Sequence, residues 1–123
     1  MADAGIVLLA HGARDRRWAE PFEQLRERLR ARRPDLAIEL AFLEHMSPDL
    51  AEAATALAAR GVRNVRVVPL FFGRGGHLRN DFPLEVTRAQ AAAPAIMFEI
   101  VEAAGEDPAV LDALADFALS GLA

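Results

Sequence analysis

The stretch Ile6-Val7-Leu8-Leu9-Ala10 decides the fold class of this 123-residue chain. Every residue in it is apolar, which is typical of a central strand in a parallel sheet covered by helices on both faces. His11 and Gly12 follow the stretch directly. A histidine at this position lies at the carboxyl end of a strand, where open parallel sheets bind their ligands.

Helical patterns alternate with further apolar runs in the rest of the chain. Trp18, Phe22, Leu25 and Leu29 recur at helical spacing and predict the first helix, in which Trp18 and Phe22 are expected to be core residues. The other predicted strands cover residues 36–43, 65–72 and 95–101. The other predicted helices begin at Ser47-Pro48, cover residues 84–92, and begin at Asp107-Pro108.

Two of these helices carry more detailed expectations. Ser47 is predicted to be the N-cap of the second helix, with Pro48 in the first turn. The last helix is predicted to bury Leu111, Leu114 and either Ala118 or Phe117.

The strict alternation of strands and helices predicts a single α/β domain over residues 1–123. We expect a flavodoxin-like, four-stranded parallel sheet in the order 2-1-3-4, with helices on both faces and right-handed crossovers. In that order the first and third strands are neighbours, and a crevice opens at their carboxyl ends.

Composition excludes several classes of site. The chain has no cysteine, which rules out thiolate metal ligands and cysteine nucleophiles. Its 14 basic residues are all arginine, which rules out a Schiff-base or phosphate-loop lysine. The net charge of -4 argues against a nucleic-acid partner. No apolar stretch is long enough for a membrane span, and Met1–Ala4 lacks the basic region of a secretory signal, so cytoplasmic location is the default expectation.

Polar residues suited to chemistry follow the predicted strands. His11 follows the first strand, Glu44 and His45 follow the second, and His77 follows the third. We expect His11 and His77 to face each other across the crevice, and His45 to be a surface residue. Two imidazoles there would suit cobalt, nickel, iron or zinc, and each can accept a proton near neutral pH. An isolated histidine after a strand is more often a loop residue than a ligand, but adjacent glycines allow a ligand to approach closely.

Arginines also gather near the two histidine segments. A guanidinium fork matches the geometry of a carboxylate, so these side chains could hold an acidic substrate, although ordinary surface charge is the alternative for any single one. They are Arg14, Arg16, Arg17, Arg74 and Arg79.

Three stretches together resemble the class II tetrapyrrole chelatases, and in particular the short sirohydrochlorin chelatases of cobalamin and sirohaem synthesis. They are Leu8–Arg14 (LLAHGAR), Ala41–Glu44 (AFLE) and Val68–Pro83 (VPLFFGRGGHLRNDFP). The third is the most specific, because a strand, a glycine loop, a histidine and Asp-x-Pro occur in fixed order. The resemblance covers nearly the whole chain and implies a chelatase-like fold.

The resemblance implies insertion of a divalent metal ion, such as cobalt, iron or nickel, into a tetrapyrrole, with no organic cofactor. His11 would be a metal ligand and proton acceptor, His77 the second metal ligand, and Glu44 an assisting carboxylate. Ser47 stands where many relatives have a carboxylate. The residues implied to contact substrate are Arg14, Ser47, Phe72, Gly73, Arg74, Gly75 and Gly76.

Longer relatives have two such lobes over one cleft, so the resemblance implies a homodimer of this single-lobed chain. Three alternatives stay open. A histidine-phosphatase-like hydrolase also places His-Gly after a first strand, but its motif has an arginine where this chain has Ala10. A non-catalytic metal- or tetrapyrrole-binding protein would use the same binding residues. The last alternative is a flavodoxin-like interaction module that binds no metal.

Overall fold

The computed structural model describes residues 3–73 and 76–123, and for residues 76–80 it describes the backbone alone. Within these residues the strands are β1 (Ala4–Ala10), β2 (Ala37–Phe42), β3 (Asn64–Pro69) and β4 (Met97–Ile100). The helices are α1 (Glu20–Arg32), α2 (Leu50–Ala59), α3 (Gly76–Ala92) and α4 (Pro108–Leu119). Short 3-10 helices at Arg16–Ala19 and Ala104–Glu106 precede α1 and α4.

The strands form one parallel sheet in the order β2-β1-β3-β4, which confirms the predicted topology. β1 lies between β2 and β3. In register, Leu9 stands between Ala41 and Pro69, near the carboxyl ends of all three strands. The sheet therefore brings the residues that follow these strands to one edge.

Two apolar layers cover the sheet, because β1 is buried on both faces. Val7 and Leu9 point into a core shared with α2 and α3. Leu8 and Ala10 point into a second core, on which the apolar side of α1 packs. The continuous apolar run at residues 6–10 is thus explained by a strand with two covered faces, as predicted.

The predicted core of α4 is wrong. Leu111 is 46% exposed, Leu114 is 40% exposed and Phe117 is 79% exposed, and no residue of α4 is buried. The helix is apolar along one side, as the sequence indicates, but no described part of the chain covers that side.

Two helix starts also differ from the predictions. Asp49, not Ser47, caps α2: its carboxylate accepts a hydrogen bond from Glu52 N at 2.8 Å, and the Glu52 carboxylate accepts one from Asp49 N at 3.0 Å. This reciprocal capping box outcompetes a lone serine. α3 begins at Gly76, eight residues before the predicted start at residue 84, and Pro83 lies inside it. The sequence pattern placed the helix after that proline, where helices commonly begin.

Among the described residues, no helix has both the length and the apolar character needed to cross a membrane.

Candidate active site

Backbone pairing between β1 and β2 continues past the ends of the strands. Leu43 N donates to Ala10 O at 3.0 Å, and Glu44 N donates to His11 O at 3.2 Å. These bonds fix the two connecting segments side by side. As a result the His11 Nε2 atom lies 3.2 Å from Glu44 Oε1, with both side chains about half exposed. The structure therefore brings together two of the three predicted catalytic residues.

Gly12 allows this close approach. Its φ of +93° lies in the left-handed region, and a Cβ built on it would stand 1.9 Å from the carbonyl oxygen of Glu44. Any side chain at this position would push the two segments apart. The glycine after His11 is thus required by the backbone that positions Glu44.

His45 also approaches the Glu44 carboxylate. Its Nε2 lies 3.8 Å from Glu44 Oε1, and its φ of 67° is unusual for a residue other than glycine. The side chain is 36% exposed, in agreement with the predicted surface position. Sequence reasoning missed its proximity to Glu44, because no spacing or motif distinguishes it from any other loop histidine.

The segment that follows β3 contacts the His11 ring. Leu70 N donates to Leu9 O at 2.8 Å. This bond continues the β1–β3 pairing and places Phe71 beside His11. Phe71 is buried and meets the imidazole of His11 edge-on, with ring centroids 6.3 Å apart. Phe82 of α3 meets Phe71 in the same way at 6.2 Å. The two phenylalanines therefore fix one side of the imidazole, a role that the sequence pattern did not reveal.

The segment after β3 is only partly described. Phe72 is 73% exposed, and Gly73 beside it is exposed as well. Gly76 begins α3 and His77 lies in its first turn. Arg74, Gly75 and the side chain of His77 lie outside the described residues, so the predicted contact between the two histidines stays a prediction.

Among the side chains that the structure describes, no group of three or more histidine, cysteine, aspartate or glutamate residues could hold a metal ion. The His11–Glu44 pair offers one imidazole and one carboxylate. A carboxylate that accepts the N–H of an imidazole leaves the other ring nitrogen with a lone pair for a metal ion or a proton. The pair can thus serve an open, exchangeable metal site that is completed by a further ligand.

A cavity of about 310 Å³ opens directly beside His11. Its wall includes Trp18, whose side chain is 68% exposed, so the predicted core position of Trp18 is wrong. Trp18 belongs to the 3-10 helix Arg16–Ala19 rather than to α1, and that short helix buries only Ala19. Phe22 of α1 is partly buried against the second core, which contains Leu8 and Ala10, and it also lines the cavity.

The predicted substrate-binding Ser47 lines a second, smaller cavity of about 90 Å³, together with Arg16. Arg14 is exposed near His11, and no ion pair among the described side chains involves Arg14 or Arg16. Arg17 differs, because its guanidinium is bound to the Asp15 carboxylate at 2.7 Å. Proximity in sequence therefore does not make these arginines equivalent.

Comparison with known proteins gives consistent matches. The CbiX family model matches residues 5–119. The sirohydrochlorin cobaltochelatase of Sulfolobus acidocaldarius is 32% identical over 118 residues, covering 96% of this chain and 92% of that protein. The enzyme of the same name from Sulfurisphaera tokodaii is 32% identical over 110 residues, covering 89% of this chain and 87% of that protein.

Solved structures agree with these matches. The CbiX protein of Marinobacter aquaeolei VT8, described as a cobalamin biosynthesis protein, superposes with a TM-score of 0.84 at 33% identity and 97% coverage of both chains. The sirohydrochlorin chelatase SirB of Bacillus subtilis subspecies spizizenii, solved with cobalt, superposes with a TM-score of 0.77 at 26% identity. The match covers 94% of this chain but only 49% of SirB.

Proposed function

Because this chain belongs to the CbiX family, we propose that it is a sirohydrochlorin chelatase, which inserts a divalent metal ion into the tetrapyrrole. The observation that carries the proposal is the pairing of His11 Nε2 with Glu44 Oε1 at 3.2 Å, at the sheet edge where its ligand would bind. Cobalt is the proposed ion, since the curated relatives are named as cobaltochelatases. Iron stays a second candidate, because a SirB structure has been solved with Fe3+.

Glu44 prepares His11 for the metal ion. The carboxylate lies 3.2 Å from Nε2 and favours a proton on that nitrogen, so that Nδ1 carries the free lone pair. His77 is the proposed second ligand. Two neutral imidazoles hold the ion loosely enough to release it, unlike the four ligands of a structural site.

Insertion removes two pyrrole protons as the metal–nitrogen bonds form. We assign one proton to His11 and the other to His77, each at the nitrogen that the departing ion vacates. The Glu44 carboxylate then stabilises the imidazolium of His11, which it already contacts. Holding ion and ring in one site replaces an encounter in solution. Acidification is expected to inhibit the enzyme, since a protonated imidazole binds no metal.

The active form is proposed to be a homodimer. A flat macrocycle is too large to be enclosed by one sheet edge, and two-fold dimers are the commonest oligomers. One exposed apolar surface supports this proposal: the side of α4 that carries Leu111, Leu114 and Phe117.

One observation weighs against the phosphatase alternative. Ala10, which stands where the phosphatase motif has an arginine, is fully buried in the second core, between the sheet and α1. The cavity beside His11 is also mainly apolar in its lining, which suits a ring better than a phosphate.

The deciding experiment follows the absorbance of sirohydrochlorin during insertion of cobalt or ferrous ion. His11→Ala and His77→Ala are expected to abolish insertion above the rate without protein, and His45→Asn is the matched histidine control. Full activity in both alanine variants would remove the proposed site. Binding of ring and ion with insertion at the uncatalysed rate would identify a carrier instead.

A further inference from the structure

The cavity beside His11 has an apolar lining that its neighbours leave unfilled. Trp18 lies in the wall of this cavity and is 68% exposed. Removing its apolar surface from water by binding a ligand there is favourable. The other apolar lining residues come from α1, β2 and the loops after β2 and β3; they are Phe22, Phe42, Met46 and Leu70. The sulfur of Met46 suits contact with an aromatic surface.

The adjoining smaller cavity is lined by two cations, Arg16 and Arg26, and by the carboxylate of Glu23. The two cavities share Phe42 and Met46 in their walls, so they lie side by side. Arg16 lines the smaller one and has no ion pair among the described side chains. The 3-10 helix Arg16–Ala19 thus places an indole in the wall of one cavity and a guanidinium in the wall of the next.

We propose that the two cavities form one substrate subsite beside His11, in which Trp18 contacts the face of the macrocycle and Arg16 binds a carboxylate on its rim. This inference rests on the proposed chelatase function. Sirohydrochlorin is a flat conjugated ring with carboxylates around its edge, so a subsite needs an apolar surface and a cation next to it. Trp18 and Arg16 are then specificity-determining residues, since a ring with fewer rim carboxylates loses the second contact.

His11 and Trp18 line the same cavity, so a ring that rests on the indole also lies beside the imidazole that holds the ion. The ion can then reach the central nitrogens through the face of the ring. Asp15 supports this arrangement, because it caps the 3-10 helix by accepting from Arg17 N at 3.0 Å. The subsite is therefore built on a segment that is held in place without the ligand.

Trp18 is itself a probe for the test, since the chain has one tryptophan and no tyrosine. Metal-free sirohydrochlorin is expected to quench its fluorescence and to shield it from acrylamide. Quenching alone could arise by energy transfer at a distance, whereas shielding requires contact. Unchanged acrylamide access in the saturated complex would overturn the contact.

Kinetics test the same contacts independently. Trp18→Ala and Arg16→Gln are each expected to raise KM for sirohydrochlorin by roughly tenfold, as the loss of one stacking or charged contact does, with KM for cobalt unchanged. Trp18→Phe is expected to restore most of the loss, because it keeps an aromatic face. Arg17→Gln is the matched control, since that guanidinium is bound to Asp15.

The outcomes separate this inference from the proposed function. Parent-like KM values in Trp18→Ala and Arg16→Gln, with active enzyme, overturn the subsite and leave the chelatase standing. Shielding of Trp18 by the ring without metal insertion supports the subsite and overturns the proposed chelatase activity. Equal effects of Arg16→Gln and Arg17→Gln overturn the assignment of Arg16.

Discussion

The carbonyl oxygen of Glu44 lies 1.9 Å from the place that a Cβ on Gly12 would occupy. The residue that follows His11 and the residue that pairs with His11 are therefore in direct backbone contact. The geometry of the His11–Glu44 pair depends on this contact as much as on the two side chains.

Gly12→Ala is expected to lower both stability and activity. The added methyl collides with backbone, which cannot rotate away, and the positive φ adds strain of roughly 1–2 kcal/mol. Gly61→Ala is the matched control, because Gly61 has φ +85° but nothing within 4 Å of its Cβ position. Thermal unfolding and insertion rates should show a larger loss at position 12. Equal losses at both positions would mean that strain alone, and not the collision with Glu44, matters.

Glu44→Gln is expected to weaken cobalt binding by about 10- to 100-fold, as is usual when the partner of a metal-ligating histidine is lost. The amide keeps the shape of the side chain and removes its charge. Cobalt titration of the parent and the variant gives the measurement. His45→Asn serves as the control, because asparagine tolerates the positive φ of residue 45. An equal loss in His45→Asn would show that Glu44 acts through His45 instead of His11.

Phe71→Leu is expected to reduce the insertion rate by more than its loss of stability explains. Leucine fills much of the buried space, so the free energy of unfolding should fall by less than about 1.5 kcal/mol. The edge-on contact with His11 is lost, however, and the imidazole gains freedom. Phe82→Leu removes the ring contact to Phe71 but leaves the one to His11. If both variants lose activity in proportion to their melting temperatures, Phe71 has only a packing role.

The order of the sheet could be predicted because the sequence of β1 alone identifies it as a central strand. Five consecutive apolar residues need burial on both faces, and the alternation with helices then leaves few topologies. His11 and Glu44 could be placed at the same edge of the sheet, because both follow neighbouring strands, but the contact predicted there was between His11 and His77. Gly12 could be tied to close approach, but its partner, Glu44, depends on backbone pairing that no pattern encodes.

Trp18 and α4 show where the sequence pattern misleads. Helical spacing indicates which side of a segment is apolar but not what covers that side. Trp18 keeps the spacing of α1 while belonging to the 3-10 helix before it, and its indole lines a cavity. The leucines of α4 have the same periodicity as a core stripe, yet they are exposed in the isolated chain. An interface and a core give the same pattern.

The pKa of the Asp15 carboxyl is expected to lie below its usual range, because the Arg17 guanidinium hydrogen-bonds to it. The ionised form is thus favoured in the folded chain. Its contribution to stability is complete above the unfolded-state pKa of about 3.9 and is lost as the pH falls through the lower folded value. Carboxyl NMR titration measures this directly. Arg17→Gln should raise the pKa of Asp15 and leave that of Asp35, which Arg33 lowers, unchanged. A parallel rise at Asp35 would point to general charge effects.

Leu114→Glu is expected to convert a dimer into monomers. Val110, Leu114 and Phe117 share one side of α4, and all are exposed, so a second copy is the proposed cover. Burying a carboxylate there without a partner costs more than the apolar contact gains. The helix should persist, because its cap at Asp107 accepts hydrogen bonds from Ala109 N and Val110 N.

Sedimentation velocity gives the oligomeric state, and the insertion assay gives its consequence. Ala109→Glu adds the same carboxylate on the opposite side of α4, which carries Asp112 and Asp116, and should leave the dimer intact. Monomeric Leu114→Glu should lose insertion activity even with His11 and Glu44 unaltered, because the second wall of the cleft is then missing. A parent that is monomeric and fully active would contradict the homodimer. A Leu114→Glu variant that stays dimeric would place the interface on another surface.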